Sequence, residues 1–184
     1  DKDIEMDFES SQTYKNLQKA FEGECKASGK YLVYGASAKD QGYEELANIF
    51  LETSSNEKEH AEIWLRVLNR GTLPDIKTDL QDAIKGESYE WRTMYQEFAN
   101  VARQEGYEEI ANLFDGVGMI ERHHDYRYQK YLDMINNGTY FCKNEPIMWI
   151  CLNCGNIYWG KCVPEKCPVC NYPQGYYTPL CDCL

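Results

Sequence analysis

Two Glu-x-x-His segments, Glu57 to His60 and Glu121 to His124, stand 64 residues apart in this chain. Each follows an isolated glutamate, Glu24 in the first case and Glu87 in the second. Residues three apart on a helix share a face, so each segment aims one carboxylate and one imidazole at the same point. Hard oxygen ligands joined by one or two imidazoles suit iron or manganese. A lone Glu plus a Glu-x-x-His, supplied twice, is the ligand set of a carboxylate-bridged two-metal site in a four-helix bundle. One Glu-x-x-His alone is a permissive pattern. Two at matched positions of a repeat are far more specific.

The repeat extends beyond the ligands. Gly42-Tyr43-Glu44-Glu45-Leu46-Ala47-Asn48-Ile49-Phe50 returns as Gly106-Tyr107-Glu108-Glu109-Ile110-Ala111-Asn112-Leu113-Phe114, and Gly23-Glu24 returns as Gly86-Glu87. Hydrophobic periodicity predicts four helices, over about residues 9–39, 42–69, 79–104 and 107–135. Short connections centred on Gly42 and Gly106 make antiparallel neighbours, and the longer segment from Asn69 to Asp75 serves as a crossover between halves. Asn136-Asn137-Gly138 is expected to cap the fourth helix. On the second helix Leu46, Phe50, Thr53, Glu57, His60, Trp64 and Val67 form a core-facing stripe, and Ile110, Phe114, Val117, Glu121, His124, Tyr128 and Tyr131 match it on the fourth.

Five carboxylates, Glu24, Glu57, Glu87, Glu90 and Glu121, therefore converge on one interior. Burying an ionised carboxylate alone costs roughly several kcal/mol, which two bound cations resolve. Glu90 falls opposite Ala27 in the repeat, so one half carries an extra carboxylate. It is expected to bind one metal in one oxidation state, in competition with His60. Tyr31 and Tyr95 are read either as hydrogen-bond donors to ligand carboxylates or as core aromatics. His123 lies off the stripe and is expected in solvent.

The carboxyl end carries different chemistry. Cys151-Leu152-Asn153-Cys154 is separated by twelve residues from Cys167-Pro168-Val169-Cys170. Two such knuckles make a tetrahedral four-thiolate site for zinc or iron, and beside a two-metal redox bundle iron is the better match. Gly155, and Asn171 in the equivalent place, allow the positive φ that a knuckle needs. Trp149, Tyr158, Trp159, Pro164, Pro168 and Tyr172 supply a small core that the metal must staple. Cys25, Cys142 and Cys162 read as buried or bystander thiols, and Cys181 and Cys183 as a frayed tail. The reading is therefore mainly α: a ferritin-like four-helix bundle over 1–138, a linker over 139–147 and a small metal-stapled β domain over 148–184.

Composition narrows the function classes. The chain has 184 residues and a formal charge of −11, a balance that repels nucleic-acid backbones and anionic membranes. No apolar run reaches the length of a membrane span. The segment Asp1 to Glu5 lacks signal-peptide character. Nine cysteines without such a signal favour thiols and metal over disulfides, in a reducing cytoplasm.

The segments Ala20 to Glu24, Asn56 to Ala61, Gly86 to Glu90, Glu105 to Ala111 and Cys167 to Cys170 closely resemble the rubrerythrin family, in the same order and across nearly the whole chain. That resemblance implies a ferritin-like di-iron domain followed by a rubredoxin-like domain with one iron in a four-Cys site. It implies a homodimeric peroxidase that reduces hydrogen peroxide to water, fed by rubredoxin or an NAD(P)H-dependent reductase. Carried over residue by residue, Glu57 and Glu121 match the bridging carboxylates. Glu24 and Glu90 match ligands of one iron, and Glu87 and His124 ligands of the other. His60 matches the ligand that replaces Glu90 on reduction, and Tyr31 and Tyr95 match tyrosines beside the ligands. Cys25 beside a ligand, Asn171 in place of Gly and the Cys-rich tail depart from the family pattern. The rival readings are a ferroxidase or iron-handling ferritin-like protein, and a non-catalytic binding module with structural zinc.

Overall fold

The computed structural model describes residues 7–180, which leaves Asp1 to Glu5 and the Cys181 and Cys183 tail outside the described residues. The chain is mainly helical, with a small antiparallel sheet near its carboxyl end. It divides into two compact units, residues 1–75 and 76–184.

The first unit is a hairpin of α1 (Gln12–Asp40) and α2 (Glu44–Leu68). Ser11 caps α1, its hydroxyl accepting from the Tyr14 N–H at 3.0 Å. At the other end Gly42 takes φ +82°, while Tyr43 N–H donates to Ala38 C=O and Gly42 N–H to Lys39 C=O. This pair of bonds satisfies two of the orphan carbonyls and turns the chain. The hairpin closes on small residues: Ala38, Ala47, Ser54 and Ala61 are all buried. A β-carbon added at Gly35 would stand 3.3 Å from Leu51 Cγ and 3.4 Å from the Ala47 carbonyl oxygen, so the two helices approach closely there and leave little room for a side chain.

The second unit repeats this hairpin and adds the sheet. α3 (Ile76–Tyr89) runs through a five-residue π turn, Glu90–Met94, into α4 (Tyr95–Gln104), and α5 (Glu108–Asn136) returns antiparallel. The third helical stretch thus starts earlier than position 79 and is interrupted, which its hydrophobic rhythm did not foretell. Gly106 and Gly138 close α4 and α5 with the bond pattern of Gly42. The buried seam is again small, with Ala99, Ala102 and Ala111 each 64 positions after Gly35, Ala38 and Ala47.

These seams differ from the large-residue stripes predicted above. Leu46, Val67, Ile110 and Tyr131 each remain at least two-fifths exposed, while Ala47 and Ala111, next to Leu46 and Ile110, are buried. Close helix packing selects the smallest side chains for the contact line, and the longer ones lie to its side.

The sheet has the order β2-β1-β3, from β1 (Cys142–Cys151), β2 (Ile157–Cys162) and β3 (Tyr177–Pro179). β1 begins inside the stretch 139–147. Trp149, Cys151, Val163, Cys167 and Tyr177 form its core, and Trp149 Nε1 donates to the Gly160 carbonyl at 2.9 Å. One cysteine expectation needs correction: Cys142 and Cys162 are not bystander thiols but a disulfide. They pair across the strand register, a proximity that their 20-residue separation hides from the sequence.

Candidate metal centres

Each helical hairpin assembles one of the predicted ligand groups. In the first, one ligand atom from each of Glu24, Glu57 and His60 lies within 4.8 Å of the others, and in the second Glu87, Glu121 and His124 do the same. His60 Nδ1 is 2.9 Å from Glu57 Oε2 and 3.8 Å from Glu24 Oε2. His124 Nδ1 is 2.7 Å from Glu121 Oε2 and 3.6 Å from Glu87 Oε2. The duplication is therefore preserved at the level of atoms.

The second group carries a direct sign that a cation belongs there. Glu87 Oε2 is buried and has no hydrogen-bond partner. Burial, then the neighbouring Glu121 and, beyond it, Glu90, push the Glu87 carboxyl above its ordinary range, against the opposing pull of His124. A metal ion supplies the missing partner and reverses that penalty. Glu90 stays outside the close group of three, yet its charge is felt at both Glu87 and Tyr95. It occupies the first position of the π turn, a feature that often marks functional sites.

Tyr31 and Tyr95 sit in matched aromatic clusters. Tyr31 packs with Phe50 at 6.0 Å and Tyr95 with Phe114 at 6.0 Å, while Tyr34–Phe50 and Phe98–Phe114 stand at 5.7 and 5.6 Å. Burial, followed by the charges of Glu90, Glu121 and Glu87, pushes the Tyr95 phenol up. It therefore keeps its proton at neutral pH. His123 is exposed, as its place off the stripe predicts.

Two features of this region escaped the sequence reading. The first is the π turn, whose signal was present: Glu24 recurs as Glu87 after 63 residues, whereas Tyr31 recurs as Tyr95 after 64. One residue has been added between them, and an i→i+5 turn is how a helix absorbs it. The second is Asp125, which is 5% exposed. Its Oδ2 accepts from Ser88 Oγ at 2.6 Å and from Trp91 Nε1 at 2.7 Å. These three follow Glu87, Glu90 and His124 directly in sequence, so the network fixes the ligand-bearing turns of α3 and α5 to each other. The signal was a carboxylate at the repeat position of Ala61.

In the sheet, Cys151, Cys154, Cys167 and Cys170 gather their sulfurs within 4.8 Å. Cys151 and Cys170, and Cys154 and Cys167, are each 3.7 Å apart. A tetrahedron with metal–sulfur bonds of about 2.3 Å has edges of about 3.8 Å, so the cage has the right size. Each knuckle is closed by a positive-φ residue, Gly155 at +75° and Asn171 at +62°, whose N–H donates to the Cys151 or Cys167 carbonyl. Burial alone would raise the Cys167 thiol, but the Tyr177 hydroxyl and the N–H groups of Cys170 and Val169 outweigh it and bring it down to about 6. A thiolate already favoured at neutral pH is a metal ligand in waiting.

Two carboxylate–imidazole groups on helical hairpins, with a four-Cys cage in the same chain, define a di-iron carboxylate protein with an attached iron–thiolate module. The comparisons with known proteins agree. The rubrerythrin family's sequence model matches residues 15–132, and that of the rubrerythrin rubredoxin-like domain matches 149–178. The chain is 38% identical to rubrerythrin of Clostridium perfringens, over 91% of this chain and 93% of that one. It is 37% identical to rubrerythrin-1 of Clostridium acetobutylicum, over 94% and 96%. A solved structure of mixed-valence nigerythrin shares 27% identity over 92% of this chain and 87% of that one, with a TM-score of 0.36. The chain belongs to the rubrerythrin family. It is a di-iron and rubredoxin-type protein of oxidative-stress defence, and its cofactors are an iron pair and a third iron among four cysteines.

Proposed function

We propose that this chain is a peroxidase that reduces hydrogen peroxide to water, with Glu24, Glu57, His60, Glu87, Glu90, Glu121 and His124 as ligands of the iron pair. The observation that carries the reading is the pairing, in one chain, of two matched Glu-x-x-His groups with a four-Cys cage of metal dimensions. When bound, the iron pair supplies both electrons for cleavage of the O–O bond and acts as Lewis acid and template for its oxygens.

The remaining tasks fall to side chains. Glu57 and Glu121, only 19% and 15% exposed, are held rigidly enough to bridge. His60 is 51% exposed and has room to move, which suits a ligand that exchanges with Glu90 as charge at the site changes. A carboxylic acid among the ligands hands the proton to the leaving oxygen. Tyr95 retains its own proton and holds a ligand carboxylate in place. The four cysteines bind the relay iron, and the exposed Cys154 gives electrons a surface edge at which to enter. The electron donor is rubredoxin or an NAD(P)H-dependent reductase, the assembly a homodimer and the compartment the cytoplasm. Neither nucleic acid nor membrane is a partner, consistent with the charge of −11, and no helix of the described residues is long and apolar enough to cross a membrane.

Rapid mixing separates these roles. Cys167→Ser, reduced chemically beforehand, is expected to consume about one peroxide per iron pair, because both electrons are local. Its continuous turnover with a reductase is expected to collapse. Glu57→Ala is expected to fail both measurements. Undiminished steady turnover by Cys167→Ser would overturn the relay assignment, and prereduced parent protein inert to peroxide would overturn the peroxidase.

A further inference from the structure

Six cysteines of the carboxyl-terminal sheet region lie in described residues, and the four-Cys cage uses only four of them. The remaining pair is placed where its redox state matters mechanically. Cys142 opens β1 and Cys162 closes β2, opposite each other in the antiparallel register with Cα atoms 4.0 Å apart. Regular pairing then fails. Between this pair and Ile147↔Gly160, the four residues Lys143 to Pro146 stand against Lys161 alone. The bulged stretch has no partners in the strand register, so at the start of β1 the Cys142–Cys162 bond is the one covalent tie between the chain leaving α5 and the sheet, beside the Val163 N–H to Phe141 C=O hydrogen bond at 3.0 Å and the packing of Phe141 on the sheet's core. Cys162 is exposed, which opens the pair to small oxidants and to a dithiol reductant.

We propose that Cys142 and Cys162 are a reversible dithiol–disulfide site, a second peroxide-consuming centre whose oxidation fastens the segment after α5 to the metal-stapled sheet. One thiolate attacks peroxide, which breaks the O–O bond and leaves a sulfenic acid as the first water departs. The second thiol attacks that sulfur, forms the S–S bond and expels the second water. Two thiols and one hydrogen peroxide thus become one disulfide and two waters, with sulfur losing the two electrons that oxygen gains. An external dithiol returns the pair by exchange through a mixed disulfide and leaves as a disulfide itself. The chemistry needs neither iron site and goes beyond the function proposed above.

The test uses full-length, iron-loaded protein with its iron pair oxidised. The thiols are reduced with dithiothreitol, the reagent is removed, and stoichiometric hydrogen peroxide is added before blocking with iodoacetamide. Peptide mass spectrometry is expected to show loss of alkylation at both Cys142 and Cys162 and a peptide linked through them. Dithiothreitol should restore both labels. Lys143 lies inside the bulged stretch, so tryptic cleavage after it is expected to slow several-fold on oxidation. In Cys142→Ser and in Cys162→Ser that rate should stay fast before and after peroxide. Equal labelling of both residues before and after peroxide would overturn the proposal, as would a disulfide from either one to another cysteine. Identical cleavage rates in the two redox states would overturn the fastening. The labels are read directly on sulfur, so an iron pair inert to peroxide would leave these outcomes unchanged.

Discussion

Asp125 offers the sharpest test of how the second ligand group is held. Replacing it with alanine leaves Ser88 Oγ and Trp91 Nε1 as half-buried donors without their acceptor. Each orphan costs about 1–3 kcal/mol, so the pair amounts to roughly 3–4 kcal/mol once partial relaxation is allowed. At this chain length that is a fall in melting temperature of roughly 2–4 °C for each kcal/mol. Asp125→Asn keeps an acceptor oxygen but loses the charge, and should cost about 1–2 kcal/mol. Acid separates the two causes. Burial alone would raise this carboxyl, but the Ser88 and Trp91 donors and the nearby Arg92 outweigh it and hold it below its usual range. A depressed folded-state pKa stabilises above the unfolded value of about 3.9 and loses that contribution as pH falls through the folded one. The gap between parent and Asp125→Asn should therefore be full at neutral pH and close only in strong acid. Urea titrations of metal-free protein across pH measure it. An alanine variant within about 1 kcal/mol of the parent, or a gap unmoved by acid, would refute the reasoning.

Three further outcomes follow from the same geometry. The raised Glu87 carboxyl makes metal-free protein lose stability as pH rises from the unfolded value through the folded one, so Glu87→Gln should melt higher than the parent at neutral pH without metal and bind less iron; calorimetry with metal analysis checks both. Asn171→Val forces a β-branched residue to φ +62° and should cost about 1–2 kcal/mol, read as a lower melting temperature, while Asn171→Gly should not destabilise. Glu90→Ala should retain two metals in the helical part but cycle poorly, and equal steady-state turnover with parent would remove Glu90 from the proposed exchange.

Much of the architecture was legible because the chain states it twice. The helical rhythm, the glycine caps at 42, 106 and 138, and the knuckles with Gly155 and Asn171 all rest on local backbone preferences, which sequence records directly. The close groups of Glu24, Glu57 and His60, and of Glu87, Glu121 and His124, were legible for the same reason: three-residue helical spacing fixes the face. What stayed hidden depends on partners distant in sequence. Nothing local to Cys142 or Cys162 announces a shared register, and Asp125 looks like a surface acid until Ser88 and Trp91 are seen against it. The seam was misjudged because hydrophobic periodicity weighs size, whereas the helices approach most closely where side chains are smallest.

The π turn has a consequence for how a duplicated protein acquires unlike halves. An added residue in a helix ordinarily carries everything beyond it about 100° around the axis, out of its packing face. Here Glu90–Met94 takes up the addition within one wide turn. Ala99 and Ala102 remain buried at positions equivalent to Gly35 and Ala38, and Tyr95 keeps the aromatic neighbours of Tyr31. The displacement of the backbone is thereby confined to the single turn that bears Glu90. A copy can be given a new ligand while its scaffold stays interchangeable with that of its twin, and inequivalence between two metal positions becomes accessible by one codon rather than by refolding a domain.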